Sequence, residues 1–226
     1  FLDAYAGESV LNSVHNFDNS EFLTALKQKD FQIVEDANTN YALTTHVMSS
    51  VLNMQYINEI GTKLGKDSKN VHPLYDLIGN NQVMRDFKSM GYEIIVLGSS
   101  HNFSTDITVA DEILCLSNDS INSEFNINLI KTSILKPIYA LIFETHRDKI
   151  LCSLSELPTV HNQFEKPIFV FSHLLIPHSP FIFGPNGEEK SSKTIEVTDE
   201  WDDNGYVDQV KFINKKMLEF LETILV

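Results

Sequence analysis

Pro167 followed by Ile168-Phe169-Val170-Phe171-Ser172-His173 is the stretch from which the fold is read. A proline ahead of four consecutive apolar residues, two β-branched and two aromatic, marks a strand covered on both faces. Such a strand needs helices above and below it, and the flanking sequence supplies them. Upstream, residues 93–97 form a second apolar run, fed by a helical pattern over 81–90 that stops at Gly91. A further helical stretch at 56–64 stops at Gly65, again a residue free to take the left-handed backbone of a helix end. Thr44 opens a helix through Val47, Met48, Val51 and Leu52, which puts a hydroxyl at a helix start.

Nearer the beginning, Asp18, Asn19 and Ser20 offer capping oxygens to a helix over 21–29 with Phe22, Leu23 and Leu26 inward. Residues 31–34 and 113–116 read as short strands. Phe1-Leu2-Asp3 reads as the last residues of a buried strand, followed by a loop at Gly7, so that a carboxylate sits at a strand's end. Downstream, helices are expected over 125–135 and 139–154, separated by Pro137. Residues 184–205 are acidic and rich in turn formers, which predicts an exposed, mobile excursion. A closing helix over 206–224 lays Val207, Val210, Phe212, Ile213, Met217, Phe220, Leu221 and Ile224 along one broad apolar stripe. Apolar runs alternating with helical patterns give an α/β chain: a mainly parallel sheet sandwiched between helices, in one domain over residues 1–226. In such folds function gathers where strands end at their carboxyl side.

The composition narrows the function. Among 226 residues, 42% hydrophobic, 31 acidic side chains oppose 17 basic ones, a formal charge of −14. That field repels nucleic acid and anionic lipid, so no nucleic-acid partner is expected. An anionic substrate remains compatible, because a bound divalent cation reverses the local field. Cys115 and Cys152 are too few for a disulfide scaffold; each fits a plain buried thiol, and a bridge between them would imply an oxidising compartment. No apolar run approaches the ~18 residues that span a bilayer, no signal peptide opens the chain, and its first residue is Phe1. These features fit a fragment or processed product.

Asp3, Thr44, His173 and His178 are the side chains that the strand ends and helix starts bring forward. Leu2-Asp3-Ala4-Tyr5, Phe17-Asp18-Asn19-Ser20 with Phe22-Leu23, Asn40-Tyr41 with Thr44, and the run SSVLNM at 49–54 together resemble the start of the sulfatase-like domain of the alkaline phosphatase superfamily. Phe171-Ser172-His173, then Pro177-His178-Ser179-Pro180-Phe181, then Tyr206-Val207-Asp208-Gln209-Val210 and Asn214-Lys215-Lys216 are similar to the next block of that family. The likeness spans nearly the whole chain in order.

The resemblance implies an alkaline-phosphatase-like fold with its carboxyl-terminal part missing. It implies that Asp3 is a metal-binding carboxylate, Thr44 the nucleophile and a metal ligand, and His178 a residue facing the transferred group. His173 is implied either to orient that loop or to reach the substrate or metal. The substrate would be a phosphate or sulfate ester and the cofactor a divalent ion; zinc, manganese, magnesium and calcium all remain open. Relatives face outside the cytoplasm, which implies an extracytoplasmic protein and leaves room for a membrane anchor in a longer parent. Family members continue into a strand bearing an adjacent aspartate and histidine that finish the metal site, and this sequence stops at Val226 before any such pair. The expectation is therefore weak metal binding and reduced activity for this stretch alone.

Two other readings stand beside this one. A non-catalytic domain could keep the fold and use its cleft for a ligand or partner. A serine hydrolase could use Ser100 beside Ser99 and His101, although the glycine pattern of a nucleophile elbow is absent there. His46 follows Thr44 closely, yet near neighbours on a helix point in different directions, so it is not read as a base for Thr44.

Overall fold

The computed structural model describes residues 1–35, 37–65, 67–99, 101–116, 146–190 and 202–225, without the Asn102 side chain. The chain forms two compact units, one of Tyr41–His173 and one of Phe1–Asn40 with Leu174–Val226.

The unit Tyr41–His173 is organised by a three-stranded parallel sheet, with β1 (Glu93–Leu97) in the middle, β2 (Glu112–Leu114) on one side and β3 (Ile168–Ser172) on the other. Its register pairs Ile94 with Phe169, Val96 with Phe171 and Leu97 with both Ser172 and Leu114. All four residues from Ile94 to Leu97 are fully buried, so both faces of β1 are covered, as an uninterrupted apolar run requires. The mixed α/β character and the parallel strands agree with the sequence.

On one face, Ile94, Val96 and Phe171 meet Met48, Leu52, Ile78 and Met84. Those four side chains come from α3 (Thr44–Val51) and the residue after it, α5 (His72–Gly79) and α6 (Gln82–Ser89). Each fully buried Ile or Met contributes roughly 2–3 kcal/mol through its apolar area. Helix ends follow the expected chemistry. α4 (Asn58–Leu64) stops at Gly65 with φ +87°, and Asn81 caps α6 by accepting from the Met84 amide at 2.9 Å. Gly91, with φ +91°, turns the chain from α6 into β1.

The helix α5 has no counterpart among the expected elements. Its Pro73 sits in the first turn, where a missing N–H costs nothing, rather than breaking the helix. The helix α7 (His146–Glu156) covers the end of the segment expected at 139–154, whereas the helix expected at 125–135 lies outside the described residues. The two cysteines are bridged: Cys115, just past β2, is joined to Cys152 on α7, so neither is a free thiol.

The other unit contains α1 (Glu8–Ser13), α2 (Ser20–Gln28) and α8 (Asp203–Ile224). Leu11, Tyr206 and Val210 form its buried cluster, with Tyr5, Phe17 and Phe181 packed around it. Residues 31–34 are not a strand. Phe31 and Val34 are exposed, and no neighbouring strand among the described residues of this unit offers them a ladder. Among the described residues, residues 1–3 make a single parallel bridge rather than a strand, Leu2 to Leu174.

Of the excursion expected over 184–205, the two ends lie among the described residues. Gly184 and Gly187 close a hydrogen-bonded turn that leads into the bridge between Phe183 and Glu189, and Lys190 pairs with Asp208 at 2.7 Å. At the far side α8 begins at Asp203, three residues early. Gly205 is a helical residue there, and its lack of a side chain lets Phe181 approach, since a Cβ at that position would stand 2.8 Å from the Phe181 Cβ. Residues 191–201, the centre of that segment, lie outside the described residues.

Candidate functional site

Asp3 and His178, distant in sequence, lie together in one unit. After the bridge at Leu2, the Asp3 amide donates to the Leu174 carbonyl at 2.9 Å, and the His178 amide donates to the Asp3 carbonyl at 3.2 Å. Ala4 then takes a left-handed backbone with φ +62°, which swings the chain away. The peptide bonds Ile176–Pro177 and Ser179–Pro180, on either side of His178, are both cis.

The imidazole of His178 is half-buried, and its Nδ1 lies 2.5 Å from the Ser179 carbonyl oxygen. A carbonyl only accepts, so Nδ1 is the donor in this bond, and it is Nε2 that carries the lone pair whenever the ring is neutral. Such a nitrogen can ligate a cation or take a proton; once protonated it can donate to an anionic oxygen.

Two side chains of α8 bond to the segments on which Asp3 and His178 stand. The Tyr206 hydroxyl donates to the Ala4 carbonyl at 2.9 Å and accepts from the Ala6 amide at 3.1 Å. Burial pushes its pKa up, so it remains a donor at neutral pH. Gln209 donates to the carbonyls of Pro177 and His178 at 3.1 and 3.0 Å, and accepts from the amides of Ile182 and Phe183. Sequence reasoning gives neither residue a role. The one signal it holds is the block Tyr206-Val207-Asp208-Gln209-Val210, since both side chains act on backbone atoms, which leave no side-chain pattern.

Thr44 stands where the sequence puts it, as the first helical residue of α3. Leu43 before it is extended, and the amides of His46 and Val47 both donate back to the Leu43 carbonyl at 3.0 Å. The hydroxyl is thus carried on the first turn, where the helix's positive end favours negative charge. His46 approaches the neighbouring Thr45 instead, Nδ1 to Oγ1 at 3.3 Å.

His173 is 2% exposed and its Nδ1 meets the Ser104 Oγ at 2.9 Å, while that hydroxyl donates to the His101 carbonyl. Its ring stacks against His101, with Phe103 alongside. This surrounding fixes the ring at the end of β3. Ser100 lies outside the described residues, and Ser99 is occupied in a turn with Thr105 and His101.

An open groove of about 690 Å³ in the same unit runs past Asn53, Asp76, Asn80 and Arg85, and neither Thr44 nor His173 lines it. Among the described residues no group of three or more His, Cys, Asp or Glu side chains gathers to hold a metal ion. No family model, curated protein or solved structure matches the chain.

Proposed function

We propose that the chain belongs to a sulfatase-like enzyme of the alkaline phosphatase superfamily, which hydrolyses or transfers a phosphate or sulfate ester through a covalent intermediate on Thr44. The observation that carries this reading is the bond between the His178 amide and the Asp3 carbonyl. Two residues that the family resemblance singles out separately, far apart in the sequence, are neighbours in the same unit.

Thr44 supplies the attacking oxygen. Its Oγ forms a bond to phosphorus or sulfur as the bond to the leaving alcohol breaks, and water or an acceptor hydroxyl then displaces the threonine oxygen. A threonine hydroxyl is too weakly acidic to attack unaided at neutral pH, and a place at the head of α3 favours its alkoxide. His178 presents Nε2 for an oxygen of the transferred group. By the resemblance, Asp3 and Thr44 each serve as a ligand to a divalent ion. A bound ion there would supply charge neutralisation at the ester oxygens. These donors are a partial set.

The Cys115–Cys152 bridge supports an extracytoplasmic setting, since disulfides persist in oxidising compartments. The decisive comparison is wild-type protein against Thr44→Ala on aryl phosphate and aryl sulfate esters with added divalent ions. Loss of a nucleophile is expected to cost about 10³-fold or more in kcat with the circular dichroism spectrum unchanged. Mass spectrometry of the quenched wild-type reaction should map an adduct to Thr44. Equal turnover in both proteins defeats the reading, and ester binding without turnover in the wild type favours a non-catalytic domain.

A further inference from the structure

The segments around Asp3 and His178 are irregular, so their backbone polar groups need partners from elsewhere. In this unit the partners come from two positions of α8 that are three residues apart and therefore share one helix face. Tyr206 and Gln209 are each 1% exposed. Gln209 uses its amide in both senses: Nε2 holds the carbonyls of Pro177 and His178, and Oε1 holds the amides of Ile182 and Phe183. Only a side chain with two donors and an acceptor can do this. A glutamate lacks the donors, an apolar residue lacks everything, and asparagine is one methylene short.

Tyr206 performs the matching task on the first segment, bonding Ala4 and Ala6 on either side of Tyr5, just past the left-handed turn at Ala4. The circuit closes where the His178 amide meets the Asp3 carbonyl. The Tyr206 ring also packs with Leu11 and Val210, and Phe212 and Ile213 are buried on the same helix.

We propose that Tyr206 and Gln209 are positioning residues, which fix the backbone of Asp3 against that of His178 from a single helix face. Its link to turnover rests on the function proposed above; the geometric claim does not.

The test uses the full chain, with Gln209→Met and Tyr206→Phe set beside Val210→Ala, a packing control on the same helix. Native-state amide exchange by NMR is read at His178 and Asp3, together with kcat and KM for an aryl ester. In Gln209→Met the His178 amide is expected to exchange about tenfold or more faster than in wild type, and in Tyr206→Phe the Asp3 amide likewise. Val210→Ala should raise exchange across the unit without singling out either amide. Displacing a reacting group slightly costs about 10–100-fold in kcat, with KM changed less than about twofold.

Exchange at His178 and Asp3 that rises no more than in Val210→Ala overturns the proposal. So does selective exchange with unchanged kcat in an active wild-type enzyme. If the wild type turns over no ester, the proposed reaction fails, and the exchange rates alone then decide whether the two residues hold Asp3 against His178. Should Gln209→Met not fold, Gln209→Glu keeps the bonds from Ile182 and Phe183 and loses those to Pro177 and His178, and the same tenfold rise at the His178 amide is then expected, its absence overturning the proposal.

Discussion

In the unit Tyr41–His173 the backbone satisfies much of its own demand, through a parallel ladder and, among the described residues, five helices, and apolar side chains from three of those helices fill the space against β1. In the unit of Phe1–Asn40 with Leu174–Val226, two single-residue bridges replace a sheet among the described residues. Polar side chains take over: Tyr206 and Gln209 bond the irregular segments, and Tyr5, Asn19 and Asn214 form a closed triangle of hydrogen bonds at 2.5 to 3.1 Å. The first arrangement rests mainly on shape and hydrophobicity, with Asn53 as a polar tie among its helices. The second depends on the hydrogen-bonding identity of a few polar residues, and it is the one that holds Asp3 and His178.

Four measurements put this contrast at risk. The largest effect is expected from reducing Cys115–Cys152, whose sequence separation of 37 gives roughly 4 kcal/mol in the chain-entropy account. Urea unfolding with and without reductant should show the midpoint fall at probes in Tyr41–His173. Ile94→Ala in the centre of β1 should cost about 3 kcal/mol, because a fully buried side chain is removed from a covered strand. A loss below about 1 kcal/mol would mean that the sheet's face is not a packed core.

The polar unit should betray itself at high pH. Burial, the main cause, raises the Tyr5 pKa from 10.0 to about 12. A raised pKa gives stability that is full below the unfolded value and lost as pH climbs from about 10 towards 12, a swing on the order of 2 kcal/mol. Tyr5→Phe should reduce that alkaline slope, seen as a smaller fall in Tm over the same range, while Tyr206, also raised by burial, still titrates. The smallest effect belongs to Asp111, whose carboxylate is lowered chiefly by its hydrogen bond with Lys88 and also accepts from the Ile94 amide. A depressed pKa gives stability that is present above the unfolded value of 3.8 and lost as pH falls below it. Asp111→Asn should cost roughly 1 kcal/mol at neutral pH, since the pair is partly exposed and screened by salt, and nothing in strong acid.

What the sequence reveals follows the same division. β1 and β3 are legible as unbroken apolar runs, and the ends of α4 and α6 from Gly65 and Gly91, because burial and left-handed backbone leave a mark on residue type. Thr44 at the head of α3 is legible for a similar reason. The strand expected at 31–34 fails because apolar content alone cannot say whether a partner ladder exists. Gly205 has the composition of a turn residue, yet its role is to admit Phe181 against a helix. The Cys115–Cys152 bridge cannot be chosen from two cysteines, since spacing does not report distance in space. Tyr206 and Gln209 leave no trace as working residues, because what they bond is the main chain of segments far away in sequence.

Asn53 shows what such dependence means as a protein ages. Its amide nitrogen donates to the carbonyls of Ser49 and Leu77, and its oxygen accepts from the Gln82 amide, so one side chain ties α3, α5 and α6 together. Spontaneous deamidation there would change a single atom group, replacing the NH₂ by an oxygen and setting a carboxylate against two carbonyl oxygens. The two bonds to Ser49 and Leu77 would be lost at once while the bond from Gln82 survived, with no change in any of the chain's apolar positions.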